Sequence, residues 1–192
     1  FNITSESNIR DRKLKLLYVG AMNKANGLEN VLLAAKLLRD LPIIVDLVGE
    51  GMEKENLTML KERESINNVN ILNGVPKSEV PKILMDADAL LHIEMDLPSS
   101  QFGGSPNKLF DYLAAGKIIF STIQSGHSLL LKKNCGIETN GPTPRDFADG
   151  IRRIYMMSAE ERAEWGKRAR IAAVDYDFKV LTKKLEEIIE SQ

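Results

Sequence analysis

Gly103-Gly104-Ser105-Pro106-Asn107-Lys108-Leu109-Phe110-Asp111 is the stretch whose residue types and spacing bear most directly on chemistry. Two glycines let backbone approach another group closely. Ser105 is a favourable helix N-cap, and Pro106 suits the first helical position. Gly116 is of the type that ends helices. The spacing therefore predicts a glycine loop and a short helix whose unpaired N–H groups attract anions, phosphates above all. Lys108 stands in the first turn and Asp111 three residues on, near the same face. A cation suited to phosphate beside a carboxylate suited to a sugar hydroxyl is the chemistry of a nucleotide site. The same residues also make an ordinary turn, a capped helix and a solvated ion pair, and residue types alone leave both readings open.

The elements that must position this stretch are two apolar runs, Ala89–Met95 before it and Ile118–Ile123 after it, both read as strands. Upstream, Leu14–Val19, Ile43–Val48 and Val69–Leu72 are further short apolar runs, and Gly136–Thr139 is a sixth. Between them lie helical patterns over Leu28–Leu38, Lys54–Arg63 and Lys77–Met85, with one or two turns at Ser128–Lys133. Strands alternating with helices at this spacing mean βαβ units and a parallel sheet, hence an α/β, Rossmann-like doubly wound fold of about six strands. Ligands of such sheets gather at the C-terminal strand ends, where three glycine-bearing loops fall: Gly20–Gly27, Gly49–Gly51 and Gly103–Gly104. After Gly141-Pro142 the chain turns helical: Arg145–Met157, a helix to about Val174 capped by Ser158 with Glu161, and a last helix capped by Asp177.

The 192 residues, 43% hydrophobic and 28% charged with a net charge of −1, are ordinary material for one domain with a full core. No basic stripe suggests nucleic acid, and no apolar run approaches the roughly 20 residues of a membrane-spanning helix. The single cysteine, Cys135, excludes an internal disulfide and fits a reducing compartment. The sequence begins at Phe1 rather than Met, so we expect a piece of a longer protein.

The run from Ser105 to Lys117 resembles the donor-site helix of retaining glycosyltransferases with the GT-B fold. It is most similar to a bacterial surface-polysaccharide subset of the large family 4 (group 1). The resemblance covers roughly residues 14–190 and extends to the C-terminal helices. It implies a linker at 1–13 from a missing N-terminal domain, a Rossmann-like nucleotide-sugar-binding domain at 14–157, and helices at 158–192 packing on the same domain. It also implies a sugar transferase whose donor is a nucleotide-diphosphate sugar, with no cofactor and no metal. The acceptor, a saccharide or lipid-linked, would be bound mainly by the missing half. The full-length enzyme would be cytoplasmic, with peripheral association at the inner face of the membrane as an option, and this fragment alone would be inactive.

By the same resemblance Asp111 is the counterpart of the carboxylate that holds the donor ribose, while Gly103 stands where a second carboxylate usually touches the donor sugar. Ala21 and Asn26 stand where the first loop usually carries an arginine and a lysine for the diphosphate. Lys108 is then the best remaining cation and the expected catalytic residue, helped by the helix N-terminus and by Lys24. The expected donor-binding set is Gly20, Gly49, Gly74, Val75, Gly103, Gly104, Ser105, Pro106, Asn107, Lys108 and Asp111. Asn73-Gly74-Val75-Pro76 lies where the nucleobase is read by backbone, or is an ordinary loop.

Asp86-Ala87-Asp88 spells the metal-binding triplet of another glycosyltransferase class, but at a helix end it reads as structural. Glu50 reads as solvated in preference to a nucleotide contact, and His92 as a packed strand residue. His127 is a candidate to line the site. Two competing readings stand beside the transferase: a sugar-nucleotide 2-epimerase half, and a non-catalytic nucleotide-binding or scaffold domain, which the neutral Ala21 and Asn26 favour.

Overall fold

The computed structural model describes residues 12–94, 107–122, 128–139 and 141–190. Gly103, Gly104, Ser105, Pro106 and His127, with most of the expected linker, lie outside the described residues.

Six strands form one parallel sheet: β1 (Leu14–Val19), β2 (Ile43–Val48), β3 (Val69–Leu72), β4 (Ala89–His92), β5 (Ile118–Ser121) and β6 (Gly136–Glu138). Their order across the sheet is β3-β2-β1-β4-β5-β6. Near-continuous apolar runs such as Leu-Lys-Leu-Leu-Tyr-Val suit this arrangement, because helices cover both faces of a parallel sheet. Successive residues alternate between the two cores. Leu16 and Tyr18 face one with α1 (Leu28–Leu37), α2 (Lys54–Arg63) and α6 (Pro144–Met156). Leu17, Leu90 and Ile119 face the other with α3 (Val80–Met85), α4 (Asn107–Ala115), α5 (Leu129–Lys132) and α7 (Ala159–Val174). Cys135 is fully buried in this second core, where burial lifts its thiol pKa to about 11.

The helix ends follow their sequence signals. Ser158 and Glu161 exchange the two hydrogen bonds of a capping box at 3.1 and 2.7 Å. Asp177 Oδ1 accepts from the Lys179 amide at 2.8 Å and opens α8 (Phe178–Glu190), which has no fully buried residue. Gly116 takes φ +69° after α4, a left-handed conformation that a side chain disfavours.

Several element ends differ from expectation, most of them by a single residue. The helix expected over Lys77–Met85 starts only at Val80, because Pro81 has no N–H to give Lys77 and is tolerated only in a first turn. The strands expected over Ala89–Met95 and Ile118–Ile123 are paired as far as His92 and Ser121, while Met95 and Ile123 lie outside the described residues. Beyond that pairing, a side chain replaces the ladder: the Glu94 amide donates to Thr122 Oγ1 at 2.9 Å, and that hydroxyl donates to the Glu94 carbonyl at 2.7 Å.

Candidate functional site

The strand order reverses direction between β1 and β4. These strands pair at only two registers, Leu16 with Ala89 and Leu17 with Leu90, whereas β1 pairs with β2 along its whole length. Past Leu17 they part, and a crevice opens at their C-terminal ends, the usual ligand position of a doubly wound sheet.

One side of the crevice is sealed by α4. The Tyr112 hydroxyl accepts from the Val19 amide at 2.9 Å and donates to the Val19 carbonyl at 3.2 Å, taking the place of the absent strand partner. Tyr112 is fully buried, so its hydroxyl stays protonated with its pKa raised.

One turn earlier on α4, Lys108 reaches into the crevice. Its Nζ donates to Asn26 Oδ1 at 3.4 Å, stands 4.0 Å from Glu94 Oε1, and lies 5.2 Å from the centroid of the Tyr18 ring. Burial lowers the Lys108 pKa from its usual value, while the Glu94 carboxylate works against that shift. Asn26 is itself buried and anchored: its Nδ2 donates to the Ala21 carbonyl at 2.7 Å and to Asn23 Oδ1 at 2.8 Å. The Tyr18 hydroxyl donates to the same Ala21 carbonyl at 2.7 Å.

Asn26 and Glu94 are the two crevice residues that sequence reasoning passed over. Asn26 counted only as a missing cation, and Glu94 sat inside an apolar run read as strand. The one available signal was a lone acidic residue at the end of that run, where strand ends bear ligands.

His92 is packed, as its strand position suggests, with 1% of its side chain exposed. Its Nδ1 lies 3.2 Å from Ser121 Oγ, its ring stands edge-on to Tyr112, and its Nε2 has no hydrogen-bond partner among the described residues. Burial, with a contribution from the Lys108 charge, brings the imidazole pKa down to about 3, so the ring is neutral at ordinary pH.

The first two glycine loops are knitted together. Gly49 packs so closely on Gly20 that a Cβ there would lie 1.9 Å from the Gly20 carbonyl oxygen. The Met22 amide donates to the Glu50 carbonyl at 2.8 Å. Glu50 is exposed to solvent, as expected, and also makes contacts. Its carboxylate takes Lys54 Nζ at 2.9 Å and the Gly74 amide at 2.9 Å, tying the second loop to the third. Those bonds, the one from Lys54 first, lower its pKa. The Gly74 amide is thereby committed within the protein, while Val75 packs against the second core. Asp111 is exposed on α4. Lys24 is exposed and lines a separate depression of about 340 Å³ with Glu29 and Glu53.

Asp86 and Asp88 lie at the opposite, N-terminal edge of the sheet. Asp86 pairs with Lys15 at 2.8 Å; Asp88 takes Arg12 at 2.7 Å and the Lys15 amide at 2.8 Å. Among the described residues no three His, Cys, Asp or Glu side chains gather as a metal site, and no helix is long and apolar enough to cross a membrane.

Comparison with known proteins adds to this geometry. The family described as "Glycosyl transferases group 1" matches residues 1–172. The putative colanic acid biosynthesis glycosyl transferase WcaI of Escherichia coli is 29% identical over 114 residues, 59% of this chain and 28% of that protein. Among solved structures, WaaG, a glycosyltransferase involved in lipopolysaccharide biosynthesis, superposes with TM-score 0.71 at 22% identity, over 94% of this chain and 48% of that one. Anabaena HepE, solved with UDP and glucose, superposes with TM-score 0.71 at 16% identity, over 94% and 49%. The chain thus spans less than half the length of each of these proteins.

Proposed function

The chain belongs to the group 1 glycosyl transferases, and from that premise we propose that it is the donor-binding half of a retaining enzyme of the family 4 type. It binds a nucleotide-diphosphate sugar for transfer to a saccharide or lipid-linked acceptor in polysaccharide biosynthesis. The observation that carries this reading is the Lys108 ammonium, half-buried where β1 and β4 part and 3.4 Å from Asn26 Oδ1. A lysine lowered in pKa by burial gains most from a dianion arriving beside it. The crystal structure of HepE with UDP and glucose supports the same ligand class, and the colanic acid relative supports the pathway type.

In this role Lys108 and the N–H groups opening α4 hold the diphosphate, and Asp111 accepts from ribose hydroxyls. The backbone at Gly20, Gly49 and Val75 flanks the nucleoside. Transfer breaks the bond between the anomeric carbon and the distal phosphate oxygen. The electron pair stays with that oxygen, an acceptor hydroxyl oxygen makes the new bond to carbon, and the proton of that hydroxyl passes to the departing phosphate oxygen. Lys108 offsets the charge that gathers on the leaving diphosphate, in a site whose polar groups are already oriented. Positive charge comes from the protein, so the proposed reaction uses no metal.

Calorimetric titration with UDP, GDP, ADP and CDP tests the reading. Binding of at least one is expected, abolished or much weakened in Lys108→Ala. No binding by any of the four, to a sample folded by circular dichroism, overturns the donor-site assignment in favour of a non-catalytic scaffold.

A further inference from the structure

Lys108 carries a compact ammonium on a flexible four-carbon stem, with three N–H donors to place. Asn26 Oδ1, at 3.4 Å, is the one acceptor within hydrogen-bond range of Nζ among the described residues. Glu94 Oε1 stands off at 4.0 Å, and the Tyr18 ring centroid lies at 5.2 Å. With the neutral His92 ring beside Glu94, these are the charged and titratable neighbours of the ammonium among the described residues.

The Asn26 carboxamide can face only one way. Its Nδ2 donates to the Ala21 carbonyl at 2.7 Å and to Asn23 Oδ1 at 2.8 Å. A flipped amide would set its oxygen against both of those oxygens. Asn23 Oδ1 also takes the Asn26 backbone amide at 3.1 Å, and the Ala21 carbonyl also takes the Tyr18 hydroxyl at 2.7 Å. Asn26 is only 7% exposed, so the arrangement is packed in place. Both side-chain donors of Asn26 are engaged inside the loop, and its oxygen repels a phosphate oxygen. It can therefore serve an anion only through Lys108. Towards Lys108 it presents a neutral oxygen, which holds the ammonium without cancelling its charge as a carboxylate at that distance would.

We propose that Asn26 is the positioning residue of the cation: its locked carboxamide fixes Lys108 Nζ in the crevice, aimed and with its charge free, before the donor diphosphate arrives. The inference rests on the donor-site reading above and deepens it. Ordering a rotamer-rich lysine lowers affinity when the ligand must impose it, and here the fold has imposed it in advance. Asn26 serves the anion without a charge of its own.

The test is a double-mutant cycle on the 192-residue chain, titrated calorimetrically with UDP, GDP, ADP and CDP and with the matching nucleosides. Circular dichroism checks that each variant is folded. Asn26→Ala is expected to weaken the tightest diphosphate roughly three- to tenfold, and its nucleoside by less than about twofold. Placed in Lys108→Ala, the same change should cost the diphosphate nothing further, because Asn26 acts only through the lysine. The alkaline fall of diphosphate affinity should move to lower pH in Asn26→Ala, which loses an acceptor that favours the ammonium. It should move to higher pH in Asn26→Asp, which sets a carboxylate beside it. Loosening of the loop alone would expose the lysine and move both variants the same way. The proposal is overturned, while the donor site stands, if Asn26→Ala leaves diphosphate affinity unchanged or weakens nucleoside and diphosphate equally. It is also overturned if Asn26→Ala costs as much in Lys108→Ala as in the wild type, or if the two pH profiles move together. If none of the four diphosphates binds to folded wild-type protein, the donor site falls and this inference with it.

Discussion

The Tyr112 hydroxyl meets both backbone groups of Val19, accepting from the amide at 2.9 Å and donating to the carbonyl at 3.2 Å. A side chain from α4 thereby finishes the hydrogen bonding of a strand that has lost its neighbour on that side. Tyr112→Phe keeps the ring and removes both bonds. We expect a loss of about 1–2 kcal/mol in chemical denaturation, and a fall in melting temperature of roughly 2–4 °C per kcal/mol for a domain of this size. An unchanged melting curve would show that the clasp contributes nothing to stability.

Lys108 and Asp111 are assigned to different parts of one ligand. Lys108→Ala should cost the diphosphate roughly tenfold or more, since a hydrogen bond to a charged group is worth about 1.5–3 kcal/mol. The free nucleoside should hardly notice. Asp111→Asn should weaken nucleoside and diphosphate alike. Raising salt should weaken diphosphate binding to the wild type more than to Lys108→Ala. Because burial lowers the Lys108 pKa, diphosphate affinity should also fall with rising pH sooner than an ordinary lysine, at 10.5, would cause. Parallel titrations of the two ligands check all of these outcomes, and equal losses in Lys108→Ala would reassign the anion.

His92 gives stability a pH dependence of known sign. Its folded pKa, about 3, lies below the ordinary 6.5, so below pH 6.5 the unfolded chain binds a proton that the folded one refuses. The resulting stability is whole above 6.5 and is lost as pH falls toward 3, at up to about 1.4 kcal/mol per unit. Carboxylates as a class titrate in the same window, so the informative quantity is a difference. Urea melts of wild type and His92→Gln between pH 4 and 7.5 should converge as pH falls. Parallel curves would show that the imidazole does not carry the slope.

Asp86 and Asp88 act at the end of the sheet away from the crevice, as partners of Lys15 and Arg12. Asp88→Ala removes the acceptor of the Lys15 amide and should lower the melting temperature, while diphosphate affinity stays within about twofold, because separated sites act independently. EDTA should leave that affinity unchanged. A large loss on chelation would place a metal in the site.

The fold was legible because its signals are local. Leu14–Val19, Ile43–Val48 and Val69–Leu72 are apolar runs bounded by turn residues, and the strands begin and end where those runs do. Pro81 is also a local signal, and it moves the start of α3 to Val80. Group 1 membership was legible from the Ser105–Lys117 run. The crevice was less so. Asn26 and Lys108 meet across 82 residues of chain, and no window of sequence shows that a neutral loop residue will accept from a distant lysine. Glu94 hid for a related reason: the run Ala89–Met95 looks like uninterrupted strand until Thr122, from the next strand's end, takes over its backbone bonds. The exposure of Glu50 was legible, but its clasp on Gly74, which joins two loops, was not.

Lys108 and Tyr112 lie one helical turn apart, on the same side of α4. The tyrosine that closes the seam beside β1 therefore also sets the phase of the helix, and so the direction from which the ammonium enters the crevice. The dependence runs one way. A chain that loses Lys108 keeps its seam closed and its fold intact, empty of charge. A chain that loses Tyr112 loosens the seam and the aim of the cation together. Redesign of this domain for another ligand thus has latitude at 108 and very little at 112, and a one-residue insertion between them would turn the helix by about 100° and uncouple the two.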